Sequence, residues 1–155
     1  MDTNSRHLLV EYSGCDTAVL DDLEAIKSMM QRAAVAANTR IVASVFQPFE
    51  PQGVTGVVVI EESHLSIHTW PEYGYAAVDF FTCGDGTPEA AHAVIREALR
   101  ATECEKMLIE RGLNGRPGAP AKGIRMQSHT TERPRSTDGR LHVRRAGARP
   151  DAPMS

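Results

Sequence analysis

The 155-residue chain is 41% hydrophobic and 24% charged, the balance of one globular domain with its own core, and no run approaches the ~18 apolar residues of a membrane span. Its net charge of −3 is unevenly divided: residues 1–110 hold 7 basic and 17 acidic side chains, and residues 111–155 hold 10 and 3. An acidic body suits a small cationic ligand better than nucleic acid, so no nucleic-acid or membrane partner is expected.

In chain order, His7 to Tyr12 is a predicted strand closed by Ser13-Gly14. Asp21 to Ala37 carries Leu23, Ile26, Met30, Ala33, Ala34 and Ala37 at the three-and-four spacing of an amphipathic helix, with Thr17 or Asp21 as candidate caps. Ile41 to Phe46 is β-rich and is expected to end where Pro48 and Pro51 forbid regular pairing. Gly53 to Ile60 is a buried-strand run, and His64 to Trp70 and Tyr75 to Thr82 are two more strands around the turn Pro71-Glu72-Tyr73-Gly74. Thr87-Pro88-Glu89 opens a second helix whose apolar face is Ala91, Val94, Ile95, Ala98 and Leu99. Lys106 to Glu110 is expected to be the last strand.

The resulting order, β-α-β-β then β-β-α-β, predicts an α+β fold with both helices on one face of a mainly antiparallel sheet. From residue 112 the chain is rich in glycine, proline and arginine. Residues 112–155 are therefore expected to form a disordered basic tail, which either stays solvated or docks loosely on an acidic surface. Cys15, Cys83 and Cys104 are odd in number and form no C-x-x-C pair, and the amino terminus has no basic–apolar–small signal pattern. Reduced thiols in the cytoplasm are the expectation.

The run Glu61-Glu62-Ser63-His64-Leu65-Ser66-Ile67-His68 concentrates the reactive side chains. Strand alternation puts His64, Ser66, His68 and Trp70 on one face and Leu65, Ile67 and Thr69 on the other. His64 and His68 would lie roughly 13 Å apart on a strand, too far to share an ion, so no metal is expected. Ser63 lacks the G-x-S-x-G elbow of a hydrolase. Taken alone, Cys83 is as well explained as a small packing residue as it is by chemistry.

The segment EESHLSIHTWPEYGYAAVDFFTCGD, residues 61–85, closely resembles the core of the prokaryotic S-adenosylmethionine decarboxylase proenzymes, which cut themselves to make a pyruvoyl cofactor. The resemblance ends near residue 111 and implies a two-layer α/β sandwich over residues 1–111. It implies cleavage between Glu62 and Ser63, giving a β chain of residues 1–62 and an α chain that starts at a pyruvoyl group made from Ser63. In that scheme the Ser63 hydroxyl attacks the Glu62 carbonyl, and His68 then takes the serine α-proton so that the resulting ester is eliminated. The pyruvoyl carbonyl holds the substrate amine as a Schiff base and serves as the electron sink for decarboxylation. Cys83 matches the proton donor of turnover, Phe49 the adenine platform, Glu72 the residue near the ribose hydroxyls, and Trp70 a wall of the site.

Where relatives commonly have F-H-x-F-x-P-Q-G-V-S-G, this chain has Phe46-Gln47-Pro48-Phe49-Glu50-Pro51-Gln52-Gly53-Val54-Thr55-Gly56. Thr55 thus stands at a serine that supports processing, and Gln47 at a histidine. The implied substrate is S-adenosylmethionine, decarboxylated for spermidine synthesis, and the implied assembly is a homodimer of processed protomers, (αβ)2. An arginine or ornithine decarboxylase on the same scaffold, or an unprocessed regulatory relative, are the alternatives.

Overall fold

The computed structural model describes residues 3–61, 63–112 and 123–133, and the backbone of 144–145. Its strands are β1 (Ser5–Ser13), β2 (Ile41–Pro48), β3 (Val54–Ile60), β4 (Ser63–Trp70), β5 (Tyr75–Thr82), β6 (Glu103–Arg111), β7 (Ile124–Glu132) and β8 (Arg144–Arg145). They form one sheet in the order β2-β3-β4-β5-β1-β6-β7-β8, and every pairing among the described residues is antiparallel. The helices are α1 (Thr17–Leu20), α2 (Leu23–Ala36) and α3 (Pro88–Leu99), with a single 3-10 turn at Pro71–Tyr73. α2 packs on α3, β2 and β3, and α3 packs on β1, so both long helices cover one face of the sheet. The expected α+β sandwich is the observed architecture.

The core is the layer between helices and sheet. Leu8, Val10 and Tyr12 of β1, Val58 of β3, Leu65 and Ile67 of β4 and Phe80 of β5 meet Ile26, Met30 and Ala33 of α2 and Ile95 and Leu99 of α3. Each fully buried Leu or Ile stabilises the fold by about 1.5–3 kcal/mol relative to exposure. The opposite face of the sheet carries no helix among the described residues, which leaves the outward-facing side chains of β1, β3, β4 and β5 half-buried or exposed.

Asp22, and neither Thr17 nor Asp21, caps α2: its carboxylate accepts the Ala25 N–H at 3.0 Å. Thr17 instead opens α1, capped by Asp16, and Asp21 accepts the N–H of Gly53 at 2.9 Å. β2 continues through Pro48 because, among the described residues, it is an edge strand with β3 as its only neighbour, so the missing N–H can face away from the ladder.

The larger correction concerns the tail. β6 is not the last strand: β7 pairs with it from Cys104↔Glu132 to Arg111↔Ile124, and Arg144–Arg145 pairs with Thr130 and Thr131. An exposed edge presents backbone donors and acceptors that pair whatever the side chains are, so Ile124-Arg-Met-Gln-Ser-His-Thr-Thr-Glu132 can extend the sheet without apolar periodicity. A boundary at 111 therefore cuts between two paired strands. The rest of the expected tail, 113–122, 134–143 and 146–155, lies outside the described residues.

Candidate active site

β4 begins at Ser63, and its alternation sends Leu65, Ile67 and Thr69 into the core and His64, Ser66, His68 and Trp70 towards the open face. Ser63 lies opposite Ile60 in β3 and Thr82 in β5. Cys83 follows Thr82 directly and is an exposed free thiol. Two of the expected catalytic residues therefore meet at one end of the β4–β5 pair. Ser63 has φ 148°, a conformation L-residues rarely adopt. Its neighbour across the expected scissile bond, Glu62, lies outside the described residues.

Behind Ser63 lies a polar cluster on the open face. Ser63 Oγ is 3.3 Å from His64 Nδ1, and His64 Nε2 is 3.2 Å from Asp79 Oδ2. The same oxygen receives His7 Nε2 at 2.8 Å, and the Ser66 hydroxyl donates to Oδ1. Arg111 Nη1 stands 3.4 Å from His7 Nδ1, with its guanidinium 4.5 Å above the Phe81 ring. Phe81 lies beside both imidazoles, at centroid distances of 5.3 Å from His7 and 5.9 Å from His64. Burial raises the Asp79 carboxyl, but hydrogen bonds from His7 and Ser66 and the charges of His64 and His7 outweigh it and hold the group below its ordinary range.

The other end of the same strands holds a second group. His68 Nδ1 is 2.9 Å from Thr55 Oγ1, its cross-strand neighbour in β3. Gln47 is next in that row, but its amide donates to the Pro48 carbonyl at 2.9 Å. Trp70 packs against Tyr75 and His68, with centroids 5.2 and 6.3 Å away. Glu72 sits in the 3-10 turn that follows Trp70 and accepts from Gln52 Nε2 at 3.1 Å, tying that turn to the loop bearing Phe49. Gly53 closes that loop at φ 102°, where a Cβ would lie 2.8 Å from the Thr69 carbonyl oxygen. A cleft of about 490 Å³ lined by Thr17, Asp21, Gln52 and Glu72 adjoins it.

The two ends do not meet within one chain. Ser63 and His68 are five residues apart on a continuous strand, roughly 16 Å at about 3.3 Å per residue. Ser63 and Cys83 lie at the same end of the β4–β5 pair, Thr55, His68 and Trp70 are brought together, and Glu72 is tied through Gln52 to the loop that bears Phe49. Sequence reasoning missed His7, Asp79 and Arg111: each falls at an outward or strand-end position, but which of them adjoin depends on register, and no local pattern gives that.

Residues 6–112 match the S-adenosylmethionine decarboxylase family. The chain belongs to that family. It is 48% identical over 117 residues to the S-adenosylmethionine decarboxylase proenzyme of Caldanaerobacter subterraneus subsp. tengcongensis, covering 72% of this chain and 94% of the relative. It is also 48% identical over 121 residues to the proenzyme of the same name from Thermotoga maritima, covering 77% and 93%. Among solved structures, the adenosylmethionine decarboxylase of Aquifex aeolicus superposes with a TM-score of 0.70 at 36% identity, covering 77% of this chain and 99% of that one.

One further polar cluster reaches beyond the family match. Glu132 of β7 pairs with Lys106 at 2.7 Å and with Arg96 of α3, and its Oε2 lies 3.9 Å from His92 Nε2 and 3.5 Å from Cys104 Sγ. Tyr12 OH is 2.7 Å from His92 Nδ1. Burial and the Lys106 charge push His92 down to about 4, and burial with the Glu132 charge pushes Cys104 up to about 11. His92, Cys104 and Glu132 are metal-ligand types whose ligand atoms lie within 4.8 Å of one another. However, both carboxylate oxygens of Glu132 are already held by cationic side chains, so the group reads as a neutralised ion-pair network joining β7 to α3.

Proposed function

We propose that the chain is a self-processing, pyruvoyl-dependent S-adenosylmethionine decarboxylase, cut between Glu62 and Ser63 into residues 1–62 and an α chain from Ser63. The observation that carries this reading is the register Ser63↔Thr82, which sets the exposed Cys83 thiol beside the residue that would become the new chain end. The strained, half-buried Ser63 with a polar network behind its hydroxyl fits a serine that reacts with its own backbone. When formed, the pyruvoyl group supplies an electron sink for the carbanion left as CO₂ departs. Cys83 would return a proton to the substrate α-carbon. Phe49 and Trp70 offer aromatic faces for adenine and for a sulfonium cation, and the Glu72 carboxylate offers an acceptor for hydroxyl groups.

The separation of Ser63 from His68 supports a second copy as part of the site. On the open face, Val45, Val59 and Trp70 are 72%, 40% and 38% exposed and flank half-buried Leu9, Val57 and Ala77, an apolar strip suited to another sheet. A two-fold copy stacked there with strands reversed would carry the Thr55–His68 end of one protomer over the Ser63–Cys83 end of the other. The homodimer (αβ)2 is part of the reading for that reason. No helix among the described residues is long and apolar enough to cross a membrane, and three unpaired cysteines suit a reducing cytoplasm.

Denaturing mass spectrometry of the purified protein tests the first step, and CO₂ release from S-adenosylmethionine, arginine and ornithine tests the second. Two chains, the larger without a free amino group, with CO₂ from S-adenosylmethionine alone, are expected, and Ser63→Ala should stay a single chain. A wild-type chain that remains intact on prolonged incubation would overturn the reading. CO₂ from arginine or ornithine instead would overturn only its substrate.

A further inference from the structure

We infer that His64, held by Asp79, is the proton acceptor for the Ser63 hydroxyl in the acyl shift that begins processing, a step distinct from the one His68 serves. The inference rests on the self-processing reading above.

The hydrogen-bond network dictates the tautomers. Ionised Asp79 can accept but not donate, so each imidazole nitrogen facing it must carry a proton: Nε2 of His7 at 2.8 Å and Nε2 of His64 at 3.2 Å. Arg111 donates only, so His7 Nδ1, 3.4 Å from Nη1, must present its lone pair. The neutral form of His64 that satisfies Asp79 likewise leaves its Nδ1 lone pair facing Ser63 Oγ at 3.3 Å. A carboxylate at one imidazole nitrogen and a serine hydroxyl at the other is the arrangement that makes histidine a base toward serine elsewhere. Here the two nitrogens have exchanged places, because the histidine follows the serine directly in the chain. Asp79 is fixed in turn by His7 and Ser66, and Phe81 lies against both rings. His64 therefore has little freedom to turn away.

The step balances without any further reagent. The Oγ–H proton moves to His64 Nδ1 as Oγ bonds to the carbonyl carbon of the preceding residue. The C–N bond of that peptide then breaks, and the Ser63 nitrogen takes the proton from His64. An ester and a free amine result, and nothing is oxidised or reduced. His68, on the same face as His64 but roughly 16 Å along the strand from Ser63, is left for the later removal of the α-proton.

Hydroxylamine separates the two roles, because at neutral pH it cleaves an ester and leaves an amide intact. Full-length wild type, His64→Gln, Asp79→Asn and His68→Gln are incubated with and without it, and chain masses are followed over time. His64→Gln should stay whole under both conditions, with processing slowed roughly 100-fold or more, whereas His68→Gln should be cut at Ser63 only when hydroxylamine is present. Asp79→Asn keeps the side-chain shape but loses the charge that selects the tautomer, so its processing should slow at least tenfold. Free imidazole should restore cleavage to His64→Ala. If His64→Gln misfolds, as judged by its circular dichroism against Ser63→Ala, then Asp79→Asn and the imidazole rescue decide.

Self-cleavage of His64→Gln at the wild-type rate would overturn the relay while leaving the processing reading intact. Hydroxylamine cleavage of His64→Gln like that of His68→Gln would overturn it too, since His64 would then act after the ester. Wild-type processing rates in Asp79→Asn, or no response of His64→Ala to imidazole, would do the same. A wild type that is never cleaved under either condition would refute the underlying reading instead.

Discussion

Acid should destabilise this fold before its carboxylates titrate, and His92 is the reason. The side chain is 6% exposed among Tyr12, Cys104, Lys106, Arg96 and Glu132. Burial first, and the Lys106 charge second, push its imidazole down to about 4 from a free value near ~6.5. The unfolded chain therefore binds this proton at a higher pH than the native protein does. The stabilisation is complete above pH ~6.5 and is lost progressively as the pH falls towards ~4. At about 1.4 kcal/mol per unit the full loss is about 3 kcal/mol, of which about 2 kcal/mol falls between pH 8 and pH 5. Asp79 and Glu132 are held below their ordinary values, so their contributions fade only at lower pH, while the Glu11 carboxyl, raised by burial and by Glu105, acts in the opposite sense to His92. Denaturant unfolding of the Ser63→Ala chain, which stays in one piece and is suited to two-state treatment, is measured at pH 8, 7, 6 and 5. The loss should vanish in Ser63→Ala/His92→Gln, with an unchanged denaturant slope. A parent whose stability is flat from pH 8 to 5, or a His92→Gln chain that loses the same amount, would refute the argument.

Glu132→Ala should lower stability by about 2 kcal/mol, because it leaves the half-buried Lys106 and Arg96 without their shared carboxylate; truncation after residue 122 should cost more, since it also bares the β6 edge, and an unchanged melting temperature would show that β7 contributes nothing. Thr55→Val removes the hydroxyl 2.9 Å from His68 Nδ1, so chain cleavage followed by mass should slow about tenfold or more, while Thr55→Ser should keep pace with wild type. Cys83→Ala should process normally but turn over about 100-fold more slowly, as read from CO₂ release by the cleaved protein, whereas wild-type turnover would reduce the thiol to packing. Leu65→Ala, at a fully buried site, should destabilise the chain by about 2–5 kcal/mol in denaturant melts.

Much of this fold is written in local patterns. Alternation along residues 64–70 assigns Leu65, Ile67 and Thr69 to the core and His64, Ser66, His68 and Trp70 to the open face, as observed, because a strand's side-chain period holds whatever its neighbours are. Helical spacing places Ile26, Met30, Ala33 and Ala34 against the sheet in the same way. The family was legible in the run around Ser63, His68 and Cys83, because a resemblance of that length is carried by the order of residues along the chain. What tertiary structure alone decided is adjacency between distant strands. Asp79 reaches His7 and His64 only because β5 lies between β1 and β4 in one register, and a slip of one residue would turn it into the core. His92 shares the buried face of α3 with Ala91, Ile95 and Leu99, as helical spacing requires, but its polar partners Tyr12 and Glu132 arrive from strands 80 and 40 residues away. β7 joins the sheet through backbone hydrogen bonds and one carboxylate set among cations. Neither of these leaves an apolar period in the sequence, because edge pairing is made by the main chain that every residue shares.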